Sequence, residues 1–205
     1  MELDTPALTA AEIGRIARRI DRPIVLVGLM GTGKSTVGRK LANLTALPFI
    51  DADEEIERAA QMTISEIFDM YGEPYFRDGE RRVIARLLGR GPRMLPQVAH
   101  NPGRKMDCKI LATGGGAFCD AATRALILDA AIAVWLDSDI DTLVERVGRK
   151  ANRPLLRNGN PREILAKLRE DRAPANAQAP IHVTSGHGPH LQTAFFILKA
   201  IDAWL

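Results

Sequence analysis

Ile24 to Ala42 reads IVLVGLMGTGKSTVGRKLA, and the rest of the chain is organised around it. The apolar run Ile24-Val25-Leu26-Val27 has the length and β-branched character of a buried strand. Gly28, four residues, Gly33, Lys34 and Ser35 then fit the phosphate-binding pattern G-x-x-x-x-G-K-[ST]. Val37, Leu41 and Leu44 follow at i, i+4 and i+7, one face of a helix. Glycines let the backbone turn so that successive N–H groups face phosphate oxygens, and the helix beginning there adds its positive dipole end. Lys34 can reach the β- and γ-phosphates, and the Ser35 hydroxyl is placed to ligate Mg²⁺. Strand, loop and helix arrive in the order that nucleotide binding requires.

Outward from this segment the text alternates between strands and helices. Upstream, Thr9-x-x-Glu12 is a capping box, and Ile13, Ile16, Ala17 and Ile20 give its helix one apolar stripe. Arg15, Arg18 and Arg19 on that helix read as a solvated face. Downstream, Pro48-Phe49-Ile50-Asp51 reads as a second strand ending in Asp51-Ala52-Asp53. Ligands of parallel sheets bind beyond the carboxyl ends of the strands, so Asp51 and Asp53 are candidates to serve Mg²⁺ or take a hydroxyl proton. Glu54 and Glu55 suit ordinary helix N-terminal positions.

Thr63 and Glu66 form a second capping box, with Ile64, Ile67 and Phe68 as a buried stripe. Gly72 breaks that helix and Pro74 starts the next, which carries Phe76, Val83, Ile84, Leu87 and Leu88 inward. Arg77 lies near a helix start, where a cation is unfavourable, so it calls for a negative partner: a local carboxylate or a ligand. Ile110 to Thr113 is a third strand, and Gly114-Gly115-Gly116 at its carboxyl end lets backbone approach a ligand. Ile132 to Leu136 is a fourth, after which Asp137 or Ser138 is expected to cap a helix burying Ile140, Leu143, Val144 and Val147. Asn160-Pro161-x-Glu163 caps a helix expected to end near Arg172. Ile181 to Thr184 is the last strand, and Leu191, Ala194, Phe195, Leu198 and Ile201 mark the closing helix.

These elements predict an α/β fold, a parallel sheet covered by helices on both faces, of the compact P-loop kinase type with a mobile lid. The expected organisation is one kinase domain over 1–205, with a helical extension at 1–22, a flexible insertion at 89–109 and a lid at 148–160. The lid would bring Arg153, with Arg149 or Arg157, over the nucleotide. A net charge of +3, from 28 basic and 25 acidic residues, fits anionic small molecules and lacks the clustered basic face of a nucleic-acid binder. Cys108 and Cys119 form neither a zinc motif nor a redox pair. His182, His187 and His190 have no metal-ligand spacing and read as structural or solvent-facing. Acidic residues near the start, with no signal-type apolar core and no bilayer-length apolar run, lead us to expect a cytoplasmic monomer without a membrane partner.

From about Ile24 onward the sequence resembles the shikimate kinases. The motifs are GLMGTGKST, FIDADEEIE, the FRDGE run from Phe76 to Glu80, TGGG, and NRPLL, then an arginine before Ala-Pro. The resemblance implies a nucleoside-monophosphate-kinase-like fold and transfer of phosphate from ATP to the 3-hydroxyl of shikimate, on the route through chorismate to aromatic amino acids. It implies that Gly31, Thr32, Gly33, Lys34, Ser35 and Thr36 hold the triphosphate, with Mg²⁺ on Ser35 and, through water, on Asp51. Asp53 would bind shikimate hydroxyls and act as base, Arg77 and Arg172 would clamp the carboxylate, and Gly115 would offer its N–H. Arg153 would close onto the phosphates and Arg146 would lie against adenine. Members usually carry Pro-Leu-Tyr after the carboxylate-binding arginine, where this chain has Ala173-Pro174-Ala175-Asn176 and loses packing around Arg172. The loop before the glycines is also longer than usual, and joins a helix to a strand whose far, carboxyl end reaches the site, which puts the loop on the opposite side. A kinase for another hydroxy acid such as gluconate, or a nucleotide-binding regulatory module, are the competing readings.

Overall fold

A computed structural model describes residues 8–90, 108–148, 159–186 and 188–205. Five strands form one parallel sheet: β1 Ile24–Val27, β2 Phe49–Asp51, β3 Ile110–Ala112, β4 Ile132–Asp137 and β5 Ile181–Thr184. Their order across the sheet is β2-β3-β1-β4-β5. Central β1 pairs with β3 on one side (Ile24 with Ile110) and β4 on the other (Ile24 with Ile132). This position explains its uninterrupted apolar sequence, because both faces of a central parallel strand are covered. Ile24 and Leu26 pack on one face against Ile13 and Ile16 of α1 (Ala10–Arg19), Val37 and Leu41 of α2 (Lys34–Thr45), and Leu198 and Ile201 of α8 (His190–Trp204). Val25 and Val27 pack on the other against Ile84 of α4 (Ile64–Leu87) and Ile127 of α5 (Ala121–Ala130). Each such aliphatic side chain contributes roughly 1.5–3 kcal/mol when fully buried.

The helix starts follow the local chemistry. Thr9 and Thr63 both close reciprocal capping boxes, with Glu12 and Glu66. Gly72, with φ 76°, bends α4 just ahead of Pro74. Asn160 caps α7 (Pro161–Asn176) and Pro161 opens it. The α1 arginines Arg15 and Arg19 pair with Asp202 of α8, tying the first helix to the last.

Two expectations need correction. The cap of α6 (Ile140–Gly148) is Asp139, whose carboxylate accepts from Thr142 N at 2.8 Å and Thr142 Oγ1 at 2.7 Å. Asp137 still belongs to β4, paired with Thr184, and Ser138 Oγ donates to Ser185 O, so neither is available. Helix α7 does not stop at Arg172 but runs to Asn176, since Pro174 keeps a helical φ and costs little in a last turn. Helix α8 holds all five residues expected to mark it; its buried apolar side chains are Ala194, Ile197, Leu198 and Ile201, with Leu191 exposed and Phe195 half-buried. Most of the insertion and of the lid, Arg153 included, lies outside the described residues.

Candidate active site

The carboxyl ends of β1, β2 and β3 and the start of α8 surround a cavity of about 580 Å³. β1 runs into the phosphate loop. Gly28 has φ 127°, and a Cβ there would collide with the Leu136 carbonyl, so only glycine lets the loop leave the sheet at this point. Gly33 (φ 89°) forms the N-cap of α2. Thr32 is fully buried, its Oγ1 donating to Leu29 O at 2.9 Å; its side chain closes the loop and does not line the cavity. Lys34 Nζ donates to Gly28 O at 2.7 Å and Leu29 O at 2.9 Å, bridging the carbonyls that begin the loop.

At the end of β2, Ser35 Oγ donates to Asp51 Oδ2 at 2.6 Å. The other Asp51 oxygen accepts from Asp53 N, capping α3 (Ala52–Ala60), so one carboxylate serves both the helix and the site. A hydroxyl and a carboxylate in contact beside a phosphate loop are hard oxygen donors that fit Mg²⁺. No group of three or more His, Cys, Asp or Glu could hold a metal among the described residues.

The opposite wall is a charged pocket. Burial lifts the Asp53 carboxyl to about 6, helped by the charges of Asp51 and Glu57 and opposed by Lys34 and Arg77. Arg77 does find local carboxylates: Nη1 donates to Glu80 Oε2 at 2.6 Å, and Nε and Nη2 to Glu73 Oε1 at 3.1 and 3.0 Å. Glu80 is 1% exposed, and burial raises its carboxyl against the pull of Arg77. A Cβ on Gly114 would lie 2.8 Å from Glu80 Oε1 and 2.9 Å from Asp53 Oδ1, and one on Gly116 2.5 Å from Arg77 Nη2. The glycine run is therefore what lets both acids and the arginine crowd the end of β3. Arg172 Nη1 donates to Gly115 O at 2.8 Å, so α7 delivers this arginine to the cavity despite Ala175 and Asn176. Arg146 is aimed by Ser185 Oγ at 3.2 Å and Gly186 O at 2.6 Å beyond β5.

Of the residues expected from sequence, Gly31, Gly33, Lys34, Ser35, Thr36, Asp51, Asp53, Arg77, Gly115, Arg146 and Arg172 all line this one cavity. The sequence gives Glu80 no role of its own, although it sits in the quoted FRDGE run, whereas the expected close approach at Gly114-Gly115-Gly116 places all three glycines on the cavity wall. Ile64 and Phe68 were assigned to a core stripe but are half-buried and line the cavity beside Met30 and Phe76, whose ring lies 4.7 Å from that of Phe68. His190, expected to be structural or solvent-facing, also lines it; nothing in its spacing signals this.

A phosphate loop at one end, and a buried acid with two arginines at the other, suit the transfer of phosphate to a small acidic alcohol. The fold and the site together define an ATP-dependent small-molecule kinase of the P-loop class. Comparison with known proteins narrows this. The profile of the shikimate kinase family matches residues 30–202. The chain is 67% identical over 205 residues to the shikimate kinase of Novosphingobium aromaticivorans, covering 100% of both. It is 53% identical over 180 residues to that of Caulobacter vibrioides, covering 88% of this chain and 82% of the relative. Among solved structures, shikimate kinase from Acinetobacter baumannii in complex with shikimate aligns with TM-score 0.77 and 36% identity, covering 89% and 93% of the two chains. Shikimate kinase from Aquifex aeolicus aligns with TM-score 0.68 and 27% identity, covering 88% and 96%. The chain belongs to the shikimate kinase family.

Proposed function

We propose that this protein transfers the γ-phosphoryl group of ATP to the 3-hydroxyl of shikimate, as one cytoplasmic kinase domain acting as a monomer on small molecules. The observation that carries the reading is the Asp53 carboxylate, buried in the field of both Lys34 and Arg77, with Oδ1 lacking a hydrogen-bond partner among the described residues. A carboxyl near 6 is largely ionised at pH 7 and still basic enough to accept a hydroxyl proton in the transition state. Arg77 and Arg172 hold the acceptor's carboxylate, and the Gly115 N–H helps to orient it. Arg77 exchanges its contact with the exposed Glu73 for the substrate and keeps Glu80. Met30, Ile64, Phe68 and Phe76 offer the carbon ring an apolar wall.

On the nucleotide side, backbone N–H groups from Gly31 to Thr36 hold the phosphates, and Lys34 trades loop carbonyls for β- and γ-oxygens. Ser35 and, through water, Asp51 would hold Mg²⁺, which when bound neutralises charge on the β- and γ-oxygens. Arg146 lies against the base, and Arg153 closes onto the phosphates from the lid. As the phosphoryl group moves, the O–H proton of shikimate passes to Asp53 while ADP leaves. Such catalysis is mostly positioning and electrostatics, which is what this wall of fixed charges supplies. The test is ADP release from Mg-ATP with shikimate, with gluconate and with no acceptor. Shikimate-dependent turnover on the order of 1–100 per second is expected. Turnover with gluconate alone, or ATP binding with no acceptor-dependent turnover, would overturn the reading.

A further inference from the structure

Three buried side-chain polar atoms lack a hydrogen-bond partner among the described residues: Asp53 Oδ1, Glu80 Oε1 and His190 Nδ1. All three residues line the one cavity. The two acids face the acceptor pocket, but His190 stands at the other end, as the first residue of α8. Its ring sits against the phosphate loop: a Cβ on Gly33 would be 3.1 Å from Cε1 and 3.4 Å from Nδ1. Glycine at that N-cap is what admits the imidazole.

A buried nitrogen left unpaired costs about 1–3 kcal/mol, which a ligand can recover. The charged groups acting on this ring are cationic, Arg146 from α6 and Lys40 from α2. Pro189 supplies no side-chain cap to α8, so the first-turn donors add further positive potential. Burial first, then the two cations, hold the imidazole below its usual value, so it is neutral at pH 7 before an anion arrives. Everything around the ring favours a negative partner. Lys34 and Asp53 mark the part of the cavity where phosphate is transferred, while His190 is gathered with Arg146 around Gly33.

We propose that His190 is a nucleotide-binding residue, donating a hydrogen bond to the α-phosphate–ribose portion of ATP or ADP and taking up a proton from solvent as it does so. The inference rests on the ATP-binding reading above. A ligand that raises the imidazole pKa adds affinity that is complete below the free-protein value and is lost as pH rises through the bound value. Mg-ADP titrated calorimetrically into the full chain, in two buffers of different ionisation enthalpy, reads the protons taken up. If the nucleotide lifts the imidazole by about one unit, wild-type Kd should weaken up to about tenfold from pH 5.5 to pH 8. His190→Gln should lose both that slope and the extra proton, since titration of the phosphates themselves is common to both proteins. His190→Lys, a fixed cation, should bind with the wild type's low-pH affinity at every pH, and carries the comparison if the Gln variant fails to fold. Parallel Kd–pH curves and equal proton uptake in wild type and variants would overturn the role of His190 alone. No Mg-ADP binding by wild type would overturn the nucleotide site itself.

Discussion

Asp53→Asn exchanges a carboxylate for an amide of nearly the same shape, and the structure sets two opposite consequences for it. Burial and the neighbouring Asp51 and Glu57 raise the carboxyl from 3.8 to about 6, with the help of Lys34 and Arg77 already counted. The folded protein therefore holds the Asp53 proton more tightly than the unfolded chain does. By linkage the associated stability is present below pH 3.8 and is lost as pH rises to about 6. At roughly 1.4 kcal/mol per unit, ionised Asp53 costs the fold about 3 kcal/mol at neutral pH, or about 2 after screening through the open cavity. Asn is free of that cost, and its amide can donate toward Glu80 Oε1, the other unpartnered oxygen beside Gly114.

A domain of this size gains about 2–4 °C in midpoint per kcal/mol, so the variant should melt about 4–8 °C higher at pH 8 and near the wild-type value at pH 4. Circular-dichroism melts across that range in metal-free buffer measure the difference. Turnover with Mg-ATP and shikimate should fall by at least about 10²-fold, because the variant has no base at this point. A midpoint difference independent of pH, a less stable variant at pH 8, or unchanged turnover would each refute the reasoning.

Other perturbations separate the frame from the chemistry. Gly28→Ala puts a methyl group into the Leu136 carbonyl at φ 127°, and should cost at least about 3 kcal/mol; an unchanged melting midpoint would contradict it. Gly116→Ala crowds Arg77 Nη2 and should raise KM for shikimate about tenfold, since roughly 1.4 kcal/mol of a charged contact is lost, with KM for ATP within about twofold. Equal changes in both constants would show a general distortion. Thr9→Ala removes the α1 capping box and should lower stability by about 1 kcal/mol with kcat unchanged, as read by urea unfolding and steady-state assay.

How much of this was legible in the sequence depended on whether the signal was local. The phosphate loop was readable because strand, glycines, lysine and helix are contiguous, and Asp51 and Asp53 because they close a strand. Helix caps at Thr9, Thr63 and Asn160 were readable for the same reason. The cap of α6 was misplaced because it depends on how far β4 stays paired, and that is decided by β5, which is distant in sequence. Glu80 and His190 were not readable as site residues at all. On a helix, a glutamate three residues after an arginine looks like a surface ion pair, and only the packing of α4 beneath the glycine run buries it. A histidine opening a helix looks solvent-facing, and only the packing of α8 beside the phosphate loop brings its ring onto Gly33.

These misses share a physical cause with the function. A sequence pattern reports where polar groups are expected to meet water or a neighbour, and a binding cavity is where the fold withholds both. Among the described residues Asp53, Glu80 and His190 each keep one polar atom buried and unpaired, and no local pattern can announce such an arrangement because local consistency selects against it. All three of these residues line the one cavity. The stability lost at Asp53 is thus the same free energy that leaves it basic: neutralising the residue should return the one and remove the other together.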